Sequence, residues 1–360
     1  VVQSCPSLLL EPASTNLIPY SEDFSQSPWV KSKVTITSNS ALSPDGTLNA
    51  SKILETTGSL NGHFILESLG LTQNITYNFS VFVKKLNRKY VGLQNSYNSN
   101  NGSIAFFDLD NETIIYTFSD GDSGRVFSVS NAKIQSVGNG WLRLSANFQS
   151  NVVGDSVVPT LVISNSQWST GFSYNNPYEG DPTKGVYAWG AQIEALSYAT
   201  SYIPTNGAIQ TRAAETCFGA GTSSTFNDSE GVLYAEISGE LSGTNRYITL
   251  SDSAISDRVN IFFDASNNLK AFVNGISSIS GGVAIQGTNK CAFKYKSGDI
   301  AFWVNGIEVG TSTATLSLTG LSQLSFNLSI GGNIFYGNVK DIRVYNEALT
   351  DLQLQKLTTL

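Results

Sequence analysis

The organisation of this chain follows from two aromatic-rich segments, Asn16-Leu-Ile-Pro-Tyr-Ser-Glu-Asp-Phe-Ser-Gln-Ser-Pro-Trp29 and Gly185-Val-Tyr-Ala-Trp-Gly-Ala-Gln-Ile-Glu194, the second running on into Thr200-Ser-Tyr-Ile-Pro-Thr205. Each segment is short and strand-like, because apolar and aromatic runs bounded by turn residues are typical of strands. A matched pair of this kind predicts the opening and closing strands of one β-sandwich. The pairing places a domain boundary near residue 205.

Between these segments, apolar and polar residues alternate with the period of a β-strand. The run Ile75–Val83 places its apolar side chains on one face, and Leu142–Phe148 repeats the pattern after a Gly-Asn-Gly turn. Such alternation predicts antiparallel strands with one buried face. Because no amphipathic helix of normal length interrupts it, the predicted fold class is all-β, with two β-sandwich (jelly-roll) domains in tandem.

The end of the chain carries two local signals. Asn305-Gly306 lies between apolar runs and predicts a tight hairpin, since both turn residues need positive φ. Thr350-Asp-Leu-Gln353 fits a capping box and predicts a short C-terminal helix. The predicted divisions of the chain are an N-terminal segment (1–14), a jelly roll (15–205), a linker (206–221) and a second sandwich with the short helix (222–360).

The composition excludes some classes of partner. Only 14% of the 360 residues are charged, and the net charge at pH 7 is −7. Since the sequence has no basic block, nucleic acid is not expected as a partner. Since no apolar run approaches ~18 residues, no membrane span is expected. The chain begins at Val1 and contains no Met, so we expect a processed product or a fragment of a longer chain.

Several motifs of the first domain occur in an informative order. They are Leu8-Leu-Leu-Glu-Pro12, Thr15–Phe24 with Trp29, Ser43-Pro-Asp-Gly-Thr47, Phe107-Asp-Leu109, Val137-Gly-Asn-Gly-Trp141 and the closing segments 186–194 and 200–205. Together they cover roughly residues 8–212 and resemble the carbohydrate-binding-module-like jelly roll of bacteriophage head-spike, tail-fibre and other virion proteins. The resemblance implies a head-fibre, decoration or tail-fibre protein on the virion surface, outside the cell.

The same resemblance implies the partners. Proteins of this kind attach to host cell-surface glycans or to neighbouring virion subunits, and a homo-oligomer such as a trimer is expected. The second domain, through Phe302-Trp-Val-Asn-Gly306 and Phe335–Tyr345, resembles laminin-G and concanavalin-like lectin sandwiches. These motifs describe a scaffold and do not define a ligand.

The sequence offers little for catalysis. His63 is the only histidine, so a Ser–His–Asp or Cys–His arrangement would need it, and no nucleophile elbow lies nearby. The second domain also lacks the Glu-x-Asp-x-x-Glu string that its resemblance to concanavalin-like glucanases would call for. We therefore predict a non-enzymatic protein with no catalytic residue. Two alternatives stay open: a secreted polysaccharide-degrading enzyme or its carbohydrate-binding appendage, and a purely architectural virion protein without ligand.

Two groups of aromatic residues are candidate carbohydrate sites, because rings stack on the C–H faces of sugars and polar side chains bind hydroxyls. The first group lies in the loop 168–181, and its alternative is a loop folded on its own aromatics. The second group lies at residues 90–98, and its alternative is a polar strand face. The candidates are Trp168, Tyr174 and Tyr178 in the first group, and Tyr90 and Tyr97, with Gln94, Asn95 and Asn98, in the second.

The resemblance also implies a structural Ca²⁺ ion held by the first strand and by an acidic pair on the last strand. The last strand reads Tyr187-Ala-Trp-Gly190 where that pair would stand. Asp108, Asp110 and Glu112 offer oxygen atoms at alternate positions and are the remaining metal candidates. Their alternative is a hairpin turn at Asp110-Asn111.

Overall fold

The structure is a computed structural model that describes residues 7–57, 62–70, 72–96, 102–122, 125–151, 158–168, 178–239, 243–254, 256–284, 287–328 and 331–360. These residues are mostly β-strand, which confirms the all-β prediction. Within the described ranges, no helix is long and apolar enough to cross a membrane.

Strands follow one another along the whole chain. The earlier strands are β1 Leu8–Leu10, β2 Ser14–Asn16, β3 Trp29–Ser32, β4 Val34–Ala41, β5 Ala50–Glu55, β6 His63–Glu67, β7 Tyr77–Lys85, β8 Tyr90–Ser96, β9 Gly102–Asp108, β10 Thr113–Phe118, β11 Asp120–Asp122, β12 Arg125–Gly138, β13 Trp141–Ser150, β14 Pro159–Ser164 and β15 Gly185–Glu194. The later elements are β16 Gln210–Arg212, β17 Glu230–Gly239, β18 Arg246–Ser251, β19 Arg258–Phe263, β20 Asn268–Val273, β21 Ile279–Val283, β22 Asn289–Lys296, β23 Ile300–Val304, β24 Ile307–Ser312, β25 Gln323–Ser325, β26 Gly337–Tyr345 and the helix α1 Asp351–Thr358.

The chain folds into two compact units. The first unit is Ala13–Ala213, and the second unit combines Val1–Pro12 with Ala214–Leu360. This division differs from the predicted one, because β1 pairs antiparallel with β26 of the second unit, whereas β16, in the predicted linker, pairs with β2 of the first. A three-residue strand is too short for its own pattern to show which sheet it joins.

The first unit is a sandwich of two antiparallel sheets. The strand order over its described residues is β10-β9-β8-β14-β6-β3 in one sheet, the β8 sheet, and β11-β12-β13-β7-β15-β5-β4 in the other, the β7 sheet. Apolar side chains of the two sheets meet in one core. Phe79, Val81 and Val83 of β7 and Leu144 and Phe148 of β13 belong to it, as their alternation predicts.

The opening and closing segments lie side by side, as the sequence predicts. β15 pairs with β5 and β7. The stretch after β2 is mostly irregular, but backbone hydrogen bonds hold it beside β15. Leu17 N donates to Ile193 O over 3.0 Å, and Ala191 N donates to Ser21 O over 2.8 Å.

Asn16 joins three segments of the first unit. Its side chain is fully buried. Nδ2 donates to Ala191 O (3.1 Å) and Ile203 O (2.9 Å), while Oδ1 accepts from Ile18 N (3.1 Å) and Ile193 N (3.2 Å). Two donated and two accepted bonds use the full capacity of an amide side chain. Asn16 thus holds together the opening segment, β15 and the chain around Ile203.

The second unit is also a sandwich. Over its described residues, the strand order is β1-β26-β17-β22-β23-β24 in the β17 sheet and β21-β20-β19-β18-β25 in the β19 sheet. The predicted Asn305-Gly306 turn joins β23 to β24 with both residues at positive φ. Helix α1 begins with the predicted capping box at Thr350, and its Leu354 is buried.

A buried carboxyl group lies in the first unit. Glu67 is 3% exposed, stands opposite Trp29 on the neighbouring strand, and has no hydrogen-bond partner at Oε2 in the described part of the chain. Burial raises the pKa of Glu67 to about 7. The folded protein therefore favours the neutral carboxyl over the carboxylate.

Asn16→Asp tests the junction. It keeps the shape of the side chain but removes both Nδ2 donors and places a charge beside two carbonyl groups, so we expect a loss of about 4 kcal/mol in the free energy of unfolding. Chemical denaturation followed by tryptophan fluorescence measures it. The exposed Asn206→Asp is the control and should change stability by less than about 0.5 kcal/mol. Equal effects of the two variants would contradict the role of Asn16.

Glu67→Gln tests the buried carboxyl. Because the pKa of Glu67 is raised in the folded state, the contribution of this carboxyl to the free energy of unfolding is complete below about pH 4.5. It is lost as the pH rises through about 7. The variant should therefore be more stable than the parent at pH 8, by at most about 3 kcal/mol, and similar to it at pH 4. Unfolding curves across this range measure the difference. Glu112→Gln, an exposed change in the same unit, is the control and should change stability by less than about 0.5 kcal/mol.

Candidate functional site

A pocket opens in the first unit beside the opening and closing segments. Its larger part, of about 500 Å³, is lined by Glu22, residues 203–206 and residues 210–212. An adjoining part of about 250 Å³ shares Glu22, Thr205 and Asn206, and its other lining residues are Tyr20, Asp23, Ser38, Asn39 and Asn49. We call these two neighbouring depressions, which share Glu22, Thr205 and Asn206, the Glu22 pocket. The larger one by itself falls in the size range of small-molecule sites, roughly 300–1,000 Å³.

Side-chain hydrogen bonds hold the two walls of the pocket together. Ser21 N donates to Thr205 Oγ1 (3.0 Å) and Thr205 N donates to Ser21 Oγ (2.8 Å). Thr205 Oγ1 donates in turn to Ile18 O (2.7 Å), and Trp29 Nε1 donates to Tyr20 O (2.8 Å). Because these bonds join side chains to backbone, they position a stretch that forms no regular strand.

Glu22 stands at the junction of the two parts of the pocket. Its Oε1 accepts from Tyr202 Oη (3.1 Å) and its Oε2 accepts from Asn49 Nδ2 (3.0 Å). Burial raises the pKa of Glu22 and the negative charge of Asp45 adds to the rise, against the hydrogen bonds from Tyr202 and Asn49. A carboxylate has about four lone-pair sites, so two are left over from these bonds and can accept from a ligand.

Asp23 is held differently from its neighbour Glu22. Its Oδ1 accepts from Ser25 N (3.0 Å), Ser25 Oγ (2.6 Å) and Ser38 Oγ (3.0 Å), and its Oδ2 accepts from Gln26 Nε2 (2.7 Å). Burial alone would raise its pKa, but these hydrogen bonds lower the pKa of Asp23 to about 2. Asp23 is therefore an ionised anchor of the turn, and most of its acceptor capacity is used inside the protein.

Trp168 and Tyr90, from the two predicted carbohydrate groups, meet on the outer side of the β8 sheet. Trp168 is 8% exposed and packs edge-to-face on Phe106 at a centroid distance of 5.5 Å. Tyr90 is half-buried and stacks on the same Phe106 at 6.4 Å. Trp168 therefore has no open ring face for a sugar, whereas Tyr90 is partly accessible.

Gln94 is on the same outer face as Tyr90 but is separated from it. Gly92 lies between them on β8, and the side chains of Ile104 and Phe106 pack over it so closely that a Cβ at Gly92 would stand 2.8 Å from each. Gln94 is buried, and its amide has no hydrogen-bond partner among the described residues. Tyr97, Asn98 and Tyr174 lie outside the described residues, so a sugar site built on either group stays a prediction.

Tyr178 belongs to a buried polar network. It is 8% exposed, its Oη donates to Glu55 Oε1 (2.6 Å), and its ring lies 4.3 Å from that of His63. Glu55 accepts two further bonds from Arg88, at 2.6 and 2.8 Å. Burial tends to raise the pKa of Glu55, but the bond from Arg88 and those from Asp181 N and Tyr178 lower it. The carboxylate of Glu55 thus has its hydrogen-bond donors inside the protein, and the buried hydroxyl of Tyr178 is one of them.

The three metal candidates form a hairpin turn. Asp108 Oδ1 accepts from Asp110 N (2.8 Å) and Asn111 N (3.2 Å), and Lys89 Nζ lies 3.5 Å from its Oδ2. Asp110 pairs with Lys85, and Glu112 has a positive φ. N–H donors and an ammonium group occupy oxygen atoms of Asp108, and the ammonium group of Lys85 pairs with Asp110, so these two carboxylates do not fit Ca²⁺. No cluster of three metal-binding side chains occurs within the ranges that the structure describes.

Comparison with known proteins gives distant similarities to solved structures. No model of a protein family matches the sequence, and no curated protein matches it. The solved CBM40 module of Ruminococcus gnavus IT-sialidase with α2,3-sialyllactose is 13% identical, covers 41% of this chain and 97% of its own, and has a TM-score of 0.34.

Two other solved structures are similarly distant. Trypanosoma rangeli sialidase is 12% identical over 86% of this chain and 60% of its own, with a TM-score of 0.33. A heptameric SAP-like pentraxin of Limulus polyphemus is 15% identical over 38% of this chain and 72% of its own, with a TM-score of 0.31. At these TM-scores, the similarities carry no argument about a ligand or an activity.

Several residues that line the Glu22 pocket lie in the opening and closing segments of the first unit. Tyr20, Glu22 and Asp23 belong to the opening segment, and Thr205 ends the closing one. Glu22 and Asp23, the two charged residues of the segment Asn16–Trp29, are the local sequence signal of this pocket. Its partners Asn49 and Tyr202 could not be assigned without the fold.

Tyr178→Phe tests the assignment of Tyr178 to the buried network. The change removes one hydrogen bond to a charged acceptor, so the free energy of unfolding should fall by about 1.5–3 kcal/mol. Urea denaturation of the full chain measures the loss. Tyr187→Phe, a half-buried tyrosine of β15, provides a matched control with a smaller expected loss. If Tyr178→Phe leaves stability unchanged, the network does not depend on this hydroxyl.

Proposed function

We propose that this protein is a non-enzymatic glycan-binding protein whose first unit holds a saccharide in the Glu22 pocket. The observation that carries the proposal is the convergence of a carboxylate and three amides beside a tyrosine ring. These groups are Glu22, Asn39, Asn49, Asn206 and Tyr20. A tyrosine can stack on the C–H face of a sugar, and carboxylate and amide groups match its hydroxyls.

Preorganisation supports the proposal as well. The reciprocal bonds between Ser21 and Thr205 hold the two walls together, and Tyr202 and Asn49 orient the carboxylate of Glu22. A ligand then does not have to order the backbone on binding, which reduces the entropic cost of association. The free lone pairs of Glu22 accept hydrogen bonds from sugar hydroxyls.

The proposal includes a biological setting that follows from the sequence resemblance. We place the protein on the surface of a bacteriophage virion, as a head-fibre, decoration or tail-fibre component and as a homo-oligomer. Its glycan would be a host cell-surface glycan, and neighbouring virion subunits are the further partners. A surface with few charged residues supports this role, because it limits non-specific ionic association.

A glycoside hydrolase is the second candidate, and one observation favours it. Glu22 has a raised pKa and Asp23 a pKa of about 2 in the same pocket, and such divergence is typical of an acid paired with a base or nucleophile. The four hydrogen bonds to Asp23 argue against it, because a nucleophile or base needs a lone pair directed at the substrate. Binding without cleavage is therefore the preferred function.

Glu22→Gln tests the proposed site. The variant keeps the shape of the side chain but weakens its acceptor strength, so affinity for the glycan that the parent binds should fall at least tenfold, about 1.4 kcal/mol. A glycan array followed by calorimetric titration of the full chain measures this. Glu112→Gln, which removes an exposed charge outside the pocket lining, should bind like the parent.

The alternatives give different results in the same assay. Release of reducing ends by the parent, lost in Glu22→Gln, would establish the hydrolase and reject the binding-only function. Absence of binding to every glycan on the array, or binding that Glu22→Gln does not weaken, would reject the Glu22 pocket as a sugar site. Absence of binding would favour the purely architectural role.

A further inference from the structure

We propose that the Glu22 pocket selects a saccharide with a free amino group, and that the ammonium group of this sugar binds beside Glu22 in the smaller part of the pocket. The inference rests on the proposed glycan-binding function and adds the charge of the ligand to it. The charges, donors and exposure of the side chains that line the smaller part carry the argument.

The smaller part of the pocket is open to a ligand. It has a volume of about 250 Å³. Among its lining residues, Asn39 and Asn206 are exposed, and Tyr20, Glu22 and Asp23 are half-buried. A ligand can therefore reach these side chains from solvent.

The charge of this part is negative. Among the described residues that line it, Glu22 and Asp23 are acidic and the others are neutral. The charge of Asp45 acts on the same place, because burial and, in addition, the repulsion from Asp45 raise the pKa of Glu22. A positive charge on the ligand would offset this repulsion.

The basic side chains around the pocket leave the carboxylate of Glu22 to a ligand. Lys31 is not among the described lining residues. Its Nζ donates to backbone carbonyl groups of the turn after Asp23, and its charge interacts with Asp23. Arg212 lines the larger part, and its Nη1 donates to Ser201 O over 3.2 Å. The smaller part thus provides a carboxylate without a basic side chain in its described lining.

An ammonium group fits the acceptors of this part. Glu22 has lone pairs left beyond the bonds from Tyr202 and Asn49. An ammonium group has three donors and no acceptor, and its hydrogen bonds to a carboxylate are roughly twice as strong as neutral ones. Tyr20 lines the same part, and the face of a tyrosine ring attracts cations. A sugar hydroxyl in the same position would form a weaker bond.

The amides of the lining favour an amino sugar over a simple cation. Asn39 and Asn206 line the smaller part together with Glu22. An amide side chain both donates and accepts, as a sugar hydroxyl does. A bare ammonium group cannot accept and would leave the amide donors without a partner. An amino sugar supplies the cation for the carboxylate and the hydroxyls for the amides.

The test compares two trisaccharides that differ in acetylation. Calorimetric titration of the full chain uses chitotriose, whose amines are free, and triacetylchitotriose, whose amines are acetylated. The buffer is slightly below neutral pH, where the amines are protonated, and contains EDTA to remove divalent cations. Chitotriose should bind at least about tenfold more tightly, because a charge-assisted bond replaces a neutral one. Trilysine, a cation without sugar hydroxyls, should bind at least about tenfold more weakly than chitotriose.

Charge changes in the lining should alter this preference. Glu22→Gln should remove the tenfold difference, because the amide cannot form the charge-assisted bond. Asn206→Lys, an exposed change, adds an ammonium group to the lining and should remove the difference as well. Asn206→Asp, the matched change of opposite charge, should increase it. Glu112→Gln, outside the lining, should keep the ratio of the parent.

Several results would overturn amine selection: equal affinity for the two trisaccharides, tighter binding of triacetylchitotriose, or binding of trilysine as tight as that of chitotriose. A tenfold difference that survives in both Glu22→Gln and Asn206→Lys would also overturn it. The proposed function fails separately. If no glycan binds, both proposals are rejected. If neutral glycans bind and Glu22→Gln weakens them, but chitotriose has no advantage, glycan binding stands and amine selection is rejected.

Discussion

The four hydrogen bonds of Asn16 are the constraint on which the first unit depends. The opening segment forms little regular strand, so its backbone groups must find partners elsewhere. The side chain of Asn16 provides hydrogen-bond partners for the backbone of Ile18 in this segment and for the backbone of Ala191, Ile193 and Ile203 in the closing segments. Gln192 on β15 extends the arrangement, because its Oε1 accepts from Ile203 N over 2.7 Å. Opening and closing segments are held together by buried amides where ladder bonds are missing.

The Glu22 pocket is a consequence of this junction. Once Asn16 and Gln192 fix the closing segment, Ser21 and Thr205 come within reach of each other and join the two walls. Asp23, with its oxygens engaged in the turn, stabilises the wall, whereas Glu22 keeps acceptor capacity for a ligand. Residues that close the sandwich and residues that line the Glu22 pocket therefore lie in the same short segments of the chain.

Local patterns predicted the architecture well, but they did not show which aromatic side chains are already packed inside the protein. The alternation in β7 and β13, the Asn305-Gly306 turn and the capping box at Thr350 depend on neighbours a few residues away, and the structure confirms them. Trp168 and Tyr178 had the composition of a sugar site. They are buried because Phe106 and Glu55, distant in sequence, take up the ring and the hydroxyl. Composition does not reveal whether an aromatic side chain already has a partner inside the protein.

The all-β class, the strands and their tight turns were readable from the chain itself, because they arise from side-chain alternation and backbone φ preferences within a few residues. The sequence did not show which strands pair at the edges of the sheets. β1 pairs with β26, which lies more than 300 residues away in sequence. The Glu22 pocket also depends on tertiary structure. Its carboxylate is oriented by Asn49, 27 residues away, and by Tyr202, 180 residues away. Such contacts depend on how the sheets close, which only the folded chain decides.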